Sequence, residues 1–269
     1  MSRAPLAALL AGATTRTLRG ALGNLDASRW ERVNHRGEAI SLLEGPAVLG
    51  GLAAGALAVG DVRAVAGVVV AGAGAGAFGL HDDLHEDTKV KGLRGHLGAL
   101  REGTVTTGAL KVAGIGASAF VAALLLTRGR RTARAADVVV NSGLIAGTAN
   151  LLNLLDLRPG RALKAGSTVA AALVLGGPGT ARAAGAAVLG AAAAAAPADL
   201  AERDMLGDSG ANAVGAVLGA GLSTAPRPVR LLTLAGVVGL TLASERVSFS
   251  RVIEQTPALR RIDSWGRRA

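Results

Sequence analysis

The chain of 269 residues has half of them in the hydrophobic set, 39 glycines, 2% aromatics, a mean hydropathy of +0.42 and a net charge of +10. That balance is too apolar for an ordinary water-soluble domain and makes a bilayer the natural solvent. Cysteine is absent, which excludes a disulfide framework and a thiolate metal site. The basic residues lie between apolar stretches without interleaved aromatics, so they read as membrane-flanking loops and not as a nucleic-acid groove.

In chain order, the apolar stretch 4–14 has the character of a signal peptide or a short first span, and the many apolar segments behind it favour the span. Further segments follow at 46–60, 62–80, 108–127, 136–154, 165–177, 180–197, 209–223 and 228–244. Several fall short of the ~20 apolar residues a crossing helix needs, so flanking Gly, Ser and Thr must extend them. The runs are rich in Ala, Leu and Gly without period-2 alternation, and lipid does not tolerate open sheet edges. The expectation is therefore an all-α, polytopic transmembrane protein of about nine spans, a single integral membrane domain over 1–269. The small-residue series Ala71 to Ala77 suits close helix contact, although coding bias would also produce it.

With nine spans, residues 15–45, 81–107, 155–164, 198–208 and the basic tail 245–269 share one side. That side holds 20 of the 29 Lys and Arg residues, Lys111 included, so the positive-inside rule makes it cytoplasmic. One loop dissents, because Arg128, Arg130, Arg131 and Arg134 fall on the opposite side. The tail residues Val247, Phe249, Val252, Ile253, Leu259, Ile262 and Trp265 alternate with arginines, which predicts an interfacial helix drawn to anionic lipid.

The acids cluster. Asp82, Asp83, Glu86 and Asp87 follow one apolar segment directly, Asn150, Asn153 and Asp156 close another, and Asp208 opens a third in Gly207-Asp208-Ser209-Gly210. All fall on the predicted cytoplasmic side. Adjacent carboxylates repel one another, and a hard divalent cation such as Mg²⁺ offsets that repulsion while leaving positions for phosphate oxygens. A solvated loop balanced by Lys89, Lys91, Arg94 and Arg101 is the plain alternative for the first cluster. Helix-to-helix hydrogen bonding is the plain alternative for the asparagines. Asp208 has N-cap character, and a helix start there would also attract phosphate. His81, His85 and His96 invite zinc, but His-Asp-Asp-Leu-His lacks the Glu of the His-Glu-x-x-His motif, and ordinary loop histidines are the stronger reading.

The ordered set resembles the polyprenyl-phosphate N-acetylhexosamine-1-phosphate transferase superfamily (glycosyltransferase family 4), which includes phospho-N-acetylmuramoyl-pentapeptide transferase. Asn34-His35-Arg36-Gly37 resembles the family's Asn-Tyr-Arg-Gly segment, with Ser41 where Pro is usual. Phe78 to Asp83 with Lys91 is similar to its Asp-Asp motif and following lysine. Asn150 to Asp156 resembles Asn-x-x-Asn-x-x-Asp, and Gly207 to Gly210 resembles Gly-Asp-x-Gly.

The resemblance implies Mg²⁺-dependent transfer of a sugar-1-phosphate from a UDP-sugar to a polyprenyl phosphate, releasing UMP, at the cytoplasmic face of the plasma membrane, for cell-envelope glycan synthesis. It implies Asp82 and Asp83 as catalytic, Asp83 and Asp208 as metal-binding, and Lys91, Asn153 and Asp156 as substrate-binding. A homodimer stays open. The chain departs from the family at Pro159, where a second acid is usual, and in lacking a histidine-rich motif in its last loop. Arg158 and Arg161 are candidate replacements for the lost phosphate contacts. A transporter, or a catalytically silent protein of the same fold, is the competing expectation.

Overall fold

The structure is a computed structural model that describes residues 3–24, 29–85, 106–129 and 131–268. All nine expected apolar segments are helical: α1 (Ala4–Leu22), α2 (Glu44–Ala56, prolonged by a 3-10 turn, Leu57–Val59), α3 (Val62–His85), α4 (Thr107–Leu126), α5 (Arg131–Leu155), α6 (Arg161–Gly176), α7 (Gly179–Asp199), α8 (Gly207–Leu222) and α9 (Arg227–Ser244). Two short helices, α10 (Phe249–Gln255) and α11 (Pro257–Ser264), form the tail. Among the described residues five helices are long and apolar enough to cross a membrane: α3, α4, α5 from Arg134, α7 and α9.

α8 is the axis of the bundle. Almost every residue from Gly207 to Gly221 is buried, and the helix packs on α2, α3, α5, α6 and α7. Such enclosure demands small side chains where backbones meet. The Ala71 to Ala77 series supplies them on three faces of α3. A methyl on Gly72 would press on Val217 of α8, one on Gly74 on Ser118 of α4, and one on Gly76 on Leu49 of α2. α1 packs on α2 and α7 through Ala7 and Ala11.

The outer helices show the opposite pattern. α9 buries only Val237 and leaves Leu231, Leu232, Val238, Leu240 and Leu242 exposed. An apolar face of that extent is a liability in water and is at home in lipid.

A two-stranded antiparallel hairpin, β1 (Glu31–Val33) and β2 (Ala39–Ser41), lies beyond the helices. Its turn is Asn34 to Gly37, closed by the Asn34 side chain accepting from the N–H groups of Arg36 and Glu38, with Gly37 at φ +83°. Ser41 exchanges backbone hydrogen bonds with Arg203 and Met205, which docks the hairpin on the segment leading into α8.

Two loop boundaries differ from the sequence expectation. α3 continues through His85, so Asp82 and Asp83 stand on its last helical turns and not in a loop. α1 extends to Leu22, so the first loop begins after it.

Candidate functional site: a carboxylate cluster at the start of α8

The site is built around the N-terminus of α8. Gly207 adopts φ +59°, a left-handed turn open to glycine, and directs the N–H groups of residues 207–209 outward from the helix. Asp83 accepts from Asp208 N at 3.0 Å and from Ser209 N at 2.9 Å, and Asp156 accepts from Gly207 N. The helix is thus capped by two carboxylates from elsewhere in the chain, Asp83 on α3 and Asp156 in the turn after α5. This corrects the expectation that Asp208 caps its own helix, and the donors expected to attract phosphate are already engaged.

α3 reaches this position because Gly79 has no side chain. A Cβ there would lie 2.3 Å from the Asp208 carbonyl oxygen. Arg32 from β1 donates to the Asp83 carbonyl and fixes the same turn from the hairpin side.

Asp208 itself turns toward Asp82. Between them sits Lys111 of α4, whose Nζ donates to Asp82 Oδ2 at 2.5 Å and also to Asp208 Oδ2. The Thr107 hydroxyl adds a further hydrogen bond to Asp82, and Asn212 Nδ2 holds the Asp208 carbonyl oxygen at 2.7 Å. Lys111 is the site residue the sequence reading passed over except as a charge. Its signal was present, because it is the one charged side chain within 106–127, and a charge inside an apolar span is a functional-site candidate by default.

Beside the cap lies a cavity of about 200 Å³ lined by Asn34, His35, Asp156, Arg158, Asp199 and Glu202, among others. Some acids around it are matched: Arg19 forms a two-pronged pair with Asp204 at 2.6 Å, and Asp199 Oδ1 accepts from Gly160 N at 2.7 Å. Others are not. Both Glu44 oxygens, Asp156 Oδ2 and Asp199 Oδ2 are buried without a hydrogen-bond partner among the described residues. Burial first, then the charges of Asp199, Asp208 and Asp83, raises the Asp156 carboxyl well above its ordinary range. Burial, with help from Arg158, holds His35 below the usual imidazole value.

The tail closes over the 155–161 turn. Arg161, 5% exposed, grips Asp263 at 2.8 and 3.0 Å and Ser250 at 2.8 Å; Lys164 Nζ reaches the Asp263 carbonyl at 2.6 Å. Arg267 binds the Pro159 carbonyl at 2.8 Å and Asp263 at 2.7 Å. Arg161 is therefore spent on the tail and does not replace a phosphate contact; Arg158 faces Glu254 at 3.6 Å. Val252, Leu259, Ile262 and Trp265 remain exposed, as an interfacial segment requires, while Arg267 and Arg268 hold protein groups.

Of the residues singled out from sequence, Asp82, Asp83, Asp156 and Asp208 converge at one end of the bundle. Asn153 lies on the last turn of α5, half-buried, with no side-chain hydrogen bond among the described residues. Lys91 and His96 lie outside the described residues. His81 and His85 stack on each other at 4.7 Å on an exposed face and bind nothing else of the site. Among the described residues no three acidic or histidine side chains gather around a common metal position; Lys111 bridges Asp82 and Asp208.

The fold and this cluster define an all-α bundle with helices long and apolar enough to cross a membrane and a buried acidic centre at one end. No protein-family model matches the chain, and comparison with curated proteins finds no relative.

Proposed function

We propose that the chain is a polytopic transferase of nine spans that moves a sugar-1-phosphate from a UDP-sugar to a polyprenyl phosphate, with the acidic end of the bundle at the cytoplasmic face of the plasma membrane. One observation carries this reading: Asp82, Asp83, Asp156 and Asp208, drawn from three segments distant in sequence, meet around one helix start with a lysine bridging two of them. A structural bundle has no need of such a gathering, because burying like charges together is costly.

The donor set fits a hard cation. Oxygen ligands suit Mg²⁺, the Lys111 ammonium already marks a cation position between Asp82 and Asp208, and four buried carboxylate oxygens nearby lack partners. Asp82 and Asp208 are the pair best disposed to hold the ion, while Asp83 serves as the cap that positions Asp208. When bound, Mg²⁺ would neutralise charge developing on the diphosphate. Lys111 would then be released to meet a phosphate oxygen. Asp156 and the adjoining cavity, with Asn153 at its edge, would receive the nucleotide. Apolar faces of the outer helices would accept the prenyl chain.

The test is incubation of the purified chain in lipid nanodiscs with Mg²⁺, polyprenyl phosphate and a panel of UDP-sugars, with UMP release as readout. Asp208→Asn and Asp83→Asn are expected to abolish release. Equal background from wild type and variants across the panel would favour the second reading, a catalytically silent protein of the same fold. One observation favours that alternative: Lys111 satisfies two of the carboxylates from within.

A further inference from the structure

The loop that dissents from the positive-inside count becomes intelligible at the far end of the bundle. α3 begins there with Val62 and runs about 35 Å to the acidic cluster at ~1.5 Å per residue. Nine arginines of the chain fall at this end in the sequence order of the helices, against two acids, Asp61 and Asp137.

Two of them, Arg128 and Arg230, line a cavity of about 440 Å³ between the ends of α3, α4, α5, α7, α8 and α9, and both acids line it with them. Arg128 pairs with Asp61 at its rim. Arg230, with a side chain 11% exposed, donates to Asn141 Oδ1 at 2.9 Å and meets Asp137 at 3.3 Å; Arg227 shares the same carboxylate at 3.5 Å. Asn141, 1% exposed, is fixed in turn by Thr127 at 2.8 Å. Arg63 and Arg134 both lean on the Leu124 carbonyl beside the rim.

Two features leave this end short of negative charge. Arg128 and Arg230 in the lining, with Arg227 beside it, face two carboxylates; among the described residues the buried Nε of Arg230 has no hydrogen-bond acceptor, and Asp137 Oδ1 meets Arg227 and Arg230 only at 3.5 and 3.3 Å, as ion pairs without a hydrogen bond. In addition, among the described residues α7 and α9 start at the cavity behind Pro178 and Pro226 with no side-chain cap, so their dipoles and the free N–H groups of their first turns, Pro228 contributing none, also favour an anion. Arginines with a preset hydrogen-bond fork match tetrahedral phosphate better than they match chloride or water.

We propose that this cavity is a binding site for a phosphate group, with Arg128, Arg227 and Arg230 as its cationic contacts. The site is independent of the transferase reading. A phospholipid headgroup and a free phosphate share the chemistry, and the experiment separates them.

The full chain in neutral detergent is examined by native mass spectrometry with added phosphatidylglycerol or phosphatidylcholine, and by thermal unfolding with and without inorganic phosphate. A lipid headgroup site predicts preferential retention of phosphatidylglycerol; a soluble-phosphate site predicts a rise in Tm with phosphate. Either response should fall about tenfold in affinity in Arg128→Gln/Arg227→Gln, whose side chains are 68% and 55% exposed and leave the buried Asn141–Arg230 contact in place. Arg203→Gln, an exposed side chain at the acidic end, should leave both responses unchanged. The proposal is overturned if neither probe binds, or if the Arg203 variant loses as much binding as the cavity variant.

Discussion

At the end where α3 finishes, carboxylates from three segments of the chain surround one lysine and a helix start; at the end where α3 begins, arginines surround two aspartates and two helix starts without a side-chain cap among the described residues. The acidic end spends its helix dipole on its own side chains, and so leaves Asp82 and Asp208 to be governed by a mobile cation or by Lys111. The basic end leaves its dipoles unspent. Like charges are concentrated at both ends and neutralised fully at neither, which separates a cation-seeking face from an anion-seeking one across the same bundle.

That contrast can be broken first at Asp208. Asp208→Asn keeps the shape but removes the charge, and should lower UMP release by about three orders of magnitude, the scale of metal-assisted charge stabilisation. Arg161→Ala comes next. It strands Asp263 beside the 155–161 turn, and loss of one partner of a buried pair costs about 3–5 kcal/mol, seen as proteolytic release of the tail. Gly79→Ala drives a methyl toward the Asp208 carbonyl and should destabilise the α3–α8 contact by about 1–3 kcal/mol in thermal unfolding, with activity falling in parallel.

A pH experiment sharpens the acidic end. Burial opposes ionisation of Asp263, yet the Arg161 hydrogen bonds and the nearby guanidinium charges prevail and hold it below its ordinary 3.8. A depressed carboxylate contributes stability above the unfolded value, so tail docking should be intact above that value and weaken as pH falls through the depressed one. Hydrogen exchange of α11 reads this directly. The smallest effect is expected at the basic rim, where Arg128→Gln removes an exposed pair and should change stability by less than about 1 kcal/mol.

The helices were legible in the sequence because apolar runs announce themselves whatever they pack on. Their ends were less so. Hydropathy falls at His81, but the α3 backbone continues to His85, because Gly79 packs the last turns against α8 and the polar residues find partners there. The convergence of Asp82, Asp83, Asp156 and Asp208 was readable as an order of motifs; which carboxylate caps and which faces a cation was not. That division depends on Gly207's turn and on Lys111, whose partners lie 29 and 97 residues away. Glu44 was missed as an acid at the edge of a glycine-rich run, and the tail's grip on Arg161 spans 102 residues, beyond any local pattern.

The most direct measurement is UMP release by the wild-type chain in nanodiscs, with each component omitted in turn. The account predicts release that requires Mg²⁺, polyprenyl phosphate and one UDP-sugar together, and that is lost in Asp208→Asn. Release that persists without the lipid phosphate, or none with any sugar from a folded, Mg²⁺-supplied chain, would contradict it.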